Sequence, residues 1–190
     1  MSDSCKELLL SSLTSFYNKN EDYKYLLKSI IEGKHQLSLR MIDWLVTIYS
    51  KNNNIIYWIS NDTNDNYNCL PEDAESLTMK NKYKKINLYL DYRAQLKSFK
   101  KINFDSFRRH DRITFILDPT NKTSIETTIG QLNFFKWAFS NKVIVYAVNN
   151  QKIIYENMSK NTYKKSIKKK KNLLIPKQDI LITKCYVSFD

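Results

Sequence analysis

The scarcity of glycine constrains the fold of this chain more than any other feature of its sequence. Gly33 and Gly130 are its two glycines, and Pro71, Pro119 and Pro176 are its three prolines. Turn-dense sandwiches and barrels need glycine at positive φ in many tight turns, so both are disfavoured. Glycine-rich phosphate loops of nucleotide-binding enzymes are excluded for the same reason. With 42% hydrophobic residues in 190, the chain can still bury a core, and we expect one domain.

Apolar residues at helical spacing predict most of the secondary structure. We expect two helices within 5–32, the second ending at Gly33, and a third helix within 37–50 that ends at Asn52–Asn54. Thr128 and Gln131 have the spacing of a capping box ahead of a strongly apolar helix. Short β-branched and aromatic runs predict strands at 55–59 and 113–117, with a shorter one at 124–127. The predicted class is α+β, a mainly helical single domain with a small β-sheet around 55–59 and 113–117.

The organisation predicted along the chain has four parts. They are an N-terminal helical part of the core (1–59), an acidic and polar loop or insertion (60–82), a basic and aromatic core part (83–160), and a lysine-rich arm with a C-terminal edge segment (161–190).

The formal charge of +12 is concentrated in the second half of the chain. Residues 1–80 hold 8 basic and 11 acidic side chains, whereas residues 81–190 hold 23 and 8. This asymmetry predicts an anionic partner, either nucleic acid or another acidic surface, although lysine-rich surfaces also serve solubility alone.

Three groups of cations are the predicted nucleic-acid-binding residues. Tyr89, Tyr92, Leu96 and Phe99 predict the core-facing stripe of a helix, and a neighbouring stripe of the same helix carries the first group. Because the aromatic residues face the core, we expect contacts to phosphates, without reading of base sequence. The groups are Arg93, Lys97, Lys100 and Lys101; Arg108, Arg109 and Arg112; and Lys164, Lys165, Lys168, Lys169, Lys170 and Lys171.

No catalytic, metal or cofactor site is predicted. The possible soft or imidazole ligands show no paired spacing, and the carboxylates between 91 and 126 form no D-x-D or E-x-K pattern. The odd cysteine count favours reduced thiols, and no apolar run approaches the roughly 20 residues of a membrane span. We therefore expect a protein that is not an enzyme, with no transmembrane segment and an oligomeric state that the sequence leaves open. The five possible ligands are Cys5, His35, Cys69, His110 and Cys185.

Three stretches of the chain resemble an uncharacterised conserved protein family of nucleocytoplasmic large DNA viruses, the giant-virus and algal-virus type. They are Ser38–Lys51, Tyr92–Phe99 leading into Phe104–Arg109, and Ile125–Ala138; at the end of the chain, Lys168–Lys171 and Val187–Asp190 are also similar. The resemblance implies a viral origin and no established activity. Propensity leaves residues 142–158 open between a hairpin and an amphipathic helix, and the resemblance favours the helix.

The function expected from these features is sequence-independent, phosphate-directed binding of nucleic acid by a non-enzymatic viral protein. We expect it in the virion or in the virus factory of the host cytoplasm, with the host nucleus as a further location because the lysine arm also fits a nuclear-localisation signal. The alternatives are a minor virion structural or assembly protein that binds an acidic protein or a membrane, and a transcription accessory factor.

Overall fold

Helix α6 (Ile129–Ser140) lies within the core, and its sequence explains why. In the computed structural model, which describes residues 3–60 and 83–161, nine of its twelve residues are buried. A helix that is apolar on every side has no face suited to water. Its N-cap is Thr128, whose side chain accepts a hydrogen bond from the Gln131 amide at 3.1 Å. The strongly apolar helix predicted after Thr128 is confirmed.

The remaining helices follow the predicted pattern closely. They are α1 (Asp3–Asn18), α2 (Glu21–Ile31), α3 (Leu39–Trp44), α4 (Ser50–Asn53), α5 (Leu88–Asn103) and α7 (Val143–Asn149). α1, α5 and α7 all contact α6, and helical backbone continues over 151–161. The helical alternative for 142–158 is therefore confirmed. Gly33 and Asn54 end α2 and α4 in the left-handed conformation, with φ of 72° and 45°.

One π-helical turn, Leu45–Tyr49, joins α3 to α4. The sequence predicted a single regular helix here, because an apolar period of 3.6 residues does not distinguish the two geometries. The wider turn leaves Leu45, Val46 and Tyr49 buried together. Such insertions are rare and are found mostly as single turns inside α-helices.

The prediction of one small sheet was wrong, because the two main predicted strands lie in different sheets. β1 (Ile56–Ser60) pairs antiparallel with β2 (Tyr83–Asn87), and β3 (Arg112–Asp118) pairs antiparallel with β4 (Thr123–Thr128). β2 was missed because only Ile86 of its five residues is buried. The α+β class itself, mainly helical with small sheets, is confirmed. The described residues up to 158 form one compact unit.

Buried tyrosine hydroxyls link segments that are far apart in the sequence. The Tyr17 hydroxyl donates to the Leu132 carbonyl at 2.8 Å, and the Tyr57 hydroxyl donates to the Asn141 carbonyl at 2.8 Å. Burial raises the pKa of Tyr17 well above its ordinary value. Each hydroxyl joins another part of the chain to α6 or to its C-terminal end.

Asp43, a half-buried residue of α3, contacts the segment after α5 through its carboxyl group. Its Oδ1 accepts a hydrogen bond from the Ser106 hydroxyl at 3.1 Å. Burial raises the pKa of Asp43; the Ser106 hydrogen bond opposes that change, and the nearby Asp105 carboxylate adds to it. Burial and both carboxylates also raise the pKa of Tyr92 to about 12. The carboxylate charge around Asp43 is therefore poorly solvated.

Substituting Gly130 by valine should destabilise the fold. A Cβ at this position would lie 3.1 Å from the Ile102 carbonyl oxygen, which is backbone, and 3.6 Å from the Arg108 Cβ. Overpacking of this kind costs about 1–3 kcal/mol of the free energy of unfolding, which urea denaturation measures. Ala94→Val, on the exposed face of α5, is the control. An equal loss in both variants would contradict the close approach of α6 to the end of α5.

The raised pKa of Asp43 predicts a pH-dependent gain in Asp43→Asn. Below the ordinary value of 3.8, folded and unfolded chains both hold the proton. As pH rises, the unfolded chain releases it first, so this group lowers the stability of the native protein. Relative to the native chain, the variant should therefore gain free energy of unfolding between pH 3 and pH 7. Ser106→Ala, which removes the stabilising hydrogen bond, should steepen the loss. A difference that does not change with pH would contradict this account.

Candidate nucleic-acid interface

Helix α5 presents the first group of predicted cations to solvent. Its N-terminus is capped by Asn87, whose side chain accepts from the Leu90 amide at 3.1 Å. Tyr92, Leu96 and Phe99 pack against the core, as the sequence predicted. Tyr89 lies outside that set, and the Lys51 ammonium group sits 5.9 Å from the centre of its ring. The exposed cations are Arg93, Lys97, Lys100 and Lys101.

These four cations form no ion pairs in the described residues, although the charge of Lys101 opposes the rise in the pKa of Asp43. Within residues 3–60 and 83–161, none of them forms a salt bridge with a carboxylate. The one acidic residue in the first turn of the helix, Asp91, accepts a hydrogen bond from the Trp137 indole at 2.9 Å. Arg93 and Lys97 are one turn apart, about 6 Å along the axis, and line a common recess with Ala94 and Leu96.

A backbone break at Lys100 separates the end of the helix from its middle. Lys100 has φ of 60° and ψ of 159°, outside helical values. It lines a groove between α1 and α5 with Leu8, Leu9, Phe99 and Ile102, away from the recess of Arg93. Within the first predicted group, Arg93 and Lys97 therefore line one recess, Lys100 lines another, and Lys101 lines neither.

The loop that carries the arginines is held in place by buried hydrogen bonds. The Asp105 amide donates to the Gly130 carbonyl at 3.1 Å, and the Asp105 carboxylate accepts from the Phe107 amide at 2.8 Å. Gln131 Nε2 donates to the Ser106 carbonyl at 2.9 Å, while Gln131 Oε1 accepts from Thr127 at 3.1 Å. The Gln131 side chain thus binds the loop and does not complete the predicted capping box.

Arg108, Arg109 and Arg112 line one cleft of about 370 Å³, so the structure brings the second predicted group together. Two of the three guanidinium groups have carboxylate partners: Arg108 pairs with Asp111, and Arg112 pairs with Glu126 at 3.2 Å. The Arg108 hydrogen bond lowers the pKa of Asp111, so this carboxylate is ionised. Arg109 is exposed and has no carboxylate partner in the described part of the chain.

The sequence did not identify the other polar residues of this cleft. Glu32, Glu126 and Gln131 also line it. Glu126 meets Arg112 because Arg112 lies opposite Thr128 in the β3–β4 register, which makes the two side chains diagonal neighbours. Opposite charges on adjacent strands would identify Glu126 as the partner of Arg112 once the register of the strands is known. The third predicted group, the lysines from 164 to 171, lies outside the described residues, as does the predicted loop from 61 onward.

The described ranges offer no metal cluster, since no three His, Cys, Asp or Glu side chains in them could hold an ion together. Within the same ranges, none of the helices combines the length and apolar character that crossing a bilayer requires.

Comparison with known proteins identifies the family. The model of a family of unknown function, DUF7197, matches residues 3–180. An uncharacterized protein of Acanthamoeba polyphaga mimivirus, L507, is 34% identical over 167 residues, which are 86% of this chain and 57% of that protein. The chain thus spans little more than half the length of this relative. No solved structure matches it.

These matches confirm the resemblance to an uncharacterised giant-virus family that residues 38–51, 92–109 and 125–138 indicated. The chain belongs to the family of unknown function DUF7197.

Proposed function

We propose that this protein binds nucleic acid through its phosphates, without sequence preference and without catalysis, in the virion or virus factory. The observation that carries the proposal is the exposed side of α5, where Arg93 and Lys97 lie before the backbone break at Lys100 and Lys101 follows it. None of the three forms a salt bridge in the described residues, so each is available to an external anion.

The chemistry of this face favours phosphates over bases. Lysine and arginine neutralise phosphates and release condensed counterions, which makes the affinity strongly dependent on salt. Base reading needs side chains that reach base edges, or exposed aromatic rings on which bases stack. On α5 the rings of Tyr92 and Phe99 pack against the core, and the Lys51 ammonium group lies over the ring of Tyr89. The face therefore offers charge and shape, and contacts of this kind position a protein on nucleic acid without specifying sequence.

Neutralising this face should weaken binding and reduce its salt dependence. We expect the combined variant Arg93→Gln, Lys97→Gln and Lys101→Gln to flatten the slope of log K against log salt by about 2–3 for a short duplex, since each phosphate contact contributes about 0.9. Fluorescence anisotropy across a salt series measures both affinity and slope. The control is Lys19→Gln, Lys122→Gln and Lys152→Gln, three exposed lysines elsewhere that give the same change in net charge.

Two outcomes would contradict the proposal. Equal losses in the two triple variants would mean that net charge, and not the α5 face, determines affinity. No binding of the native chain to duplex or single strands at about 50 mM salt would exclude phosphate-directed binding and favour an assembly role with an acidic partner.

A further inference from the structure

We propose that the arginine cleft is a separate site for a nucleoside phosphate: one nucleotide unit, either free or unpaired within a strand. The inference rests on the proposed function and deepens it by naming the ligand of a second surface. Its volume of about 370 Å³ falls within the range of about 300–1,000 Å³ typical of small-ligand sites. A recess of this size fits one nucleotide better than a length of duplex.

The phosphate would be held by the three arginines. Guanidinium groups match phosphate oxygens with two parallel hydrogen bonds, which makes arginine the preferred residue for such sites. Arg109 is exposed and without a carboxylate partner in the described chain. Arg108 and Arg112 are oriented by Asp111 and Glu126, whose side chains are 77% and 71% exposed. Exposed ion pairs contribute little to stability, so a phosphate group can replace these carboxylates at low cost.

Negative charge at the cleft should limit its affinity for phosphate, and this effect can be tested. Glu32 and Glu126 both line the cleft. The charge of Glu32 is offset by Lys34, whose ammonium group lies 2.6 Å from its carboxylate. Glu126 instead competes directly for Arg112. Removing the charge of Glu126 should therefore improve phosphate binding, a gain that loss of folding cannot imitate.

The apolar wall of the cleft favours a nucleoside phosphate over inorganic phosphate. Phe107, Ile31 and Leu39 line the same cleft as the arginines. Phe107 is only partly buried, and the hydrogen bond from its amide to Asp105 fixes its backbone. An aromatic ring beside bound phosphate is the arrangement on which a base stacks without regard to its identity. An acidic peptide would use the arginines alone and would gain little from this ring.

Calorimetric titration of the full chain with AMP, inorganic phosphate and adenosine tests the site. We expect AMP to bind at least about fivefold tighter than phosphate, the lower end of what stacking of a base contributes.

Arg109→Gln with Arg112→Gln should weaken AMP binding at least about tenfold, as expected for lost charged hydrogen bonds. Glu126→Gln should tighten it, and Phe107→Leu should reduce the advantage of AMP over phosphate. Lys19→Gln with Lys152→Gln is the charge-matched control, and unchanged melting temperatures check folding.

Competition experiments distinguish a free nucleotide from an unpaired nucleotide within a strand as the ligand of the cleft. Displacement of AMP by a single-stranded oligonucleotide but not by a duplex assigns the site to unpaired nucleotides, and no displacement by either assigns it to free nucleotides. Equal affinity for AMP and phosphate, or AMP binding unaffected in the double arginine variant, would overturn the inference. AMP binding that persists while the native chain binds no oligonucleotide would contradict the proposed function and leave the cleft assignment standing.

Discussion

The deep burial of α6 is the constraint on which the rest of the structure depends. A buried helix must find partners for every polar group that it takes out of water, because an unpaired one costs free energy. Asn133 therefore donates to the Asn103 carbonyl at 2.9 Å, and Gln131 donates to the Ser106 carbonyl at 2.9 Å. Both acceptors belong to the segment that ends α5 and begins the arginine loop. The hydrogen bonds that the buried polar side chains of α6 require thus also hold the surface loop in place.

The two cationic surfaces follow from this arrangement and differ in character. On α5, Arg93 and Lys97 are exposed on a helix whose opposite side packs on the core, and no described carboxylate pairs with them. In the cleft, Arg108 and Arg112 are already oriented by exposed carboxylates. The first surface is suited to diffuse attraction of a phosphate backbone, and the second to one localised phosphate.

Local signals in the sequence predicted much of the fold. The apolar run after Thr128 identified α6, and the left-handed positions at Gly33 and Asn54 coincide with predicted helix ends. Strand β2 was not predictable, because its identity depends on pairing with β1 and only Ile86 is buried. The sequence showed which basic residues could belong to the site. Their division between separate recesses depends on tertiary contacts and on the break at Lys100, which composition does not reveal.

The most direct test of phosphate-directed binding is an amide chemical-shift titration of the full chain with a short single-stranded oligonucleotide. The account predicts perturbations concentrated in residues 93–101 and 108–112, fading as salt is raised, with residues 151–158 unaffected. Perturbations centred elsewhere within residues 3–60 and 83–161, or none at low salt, would contradict it.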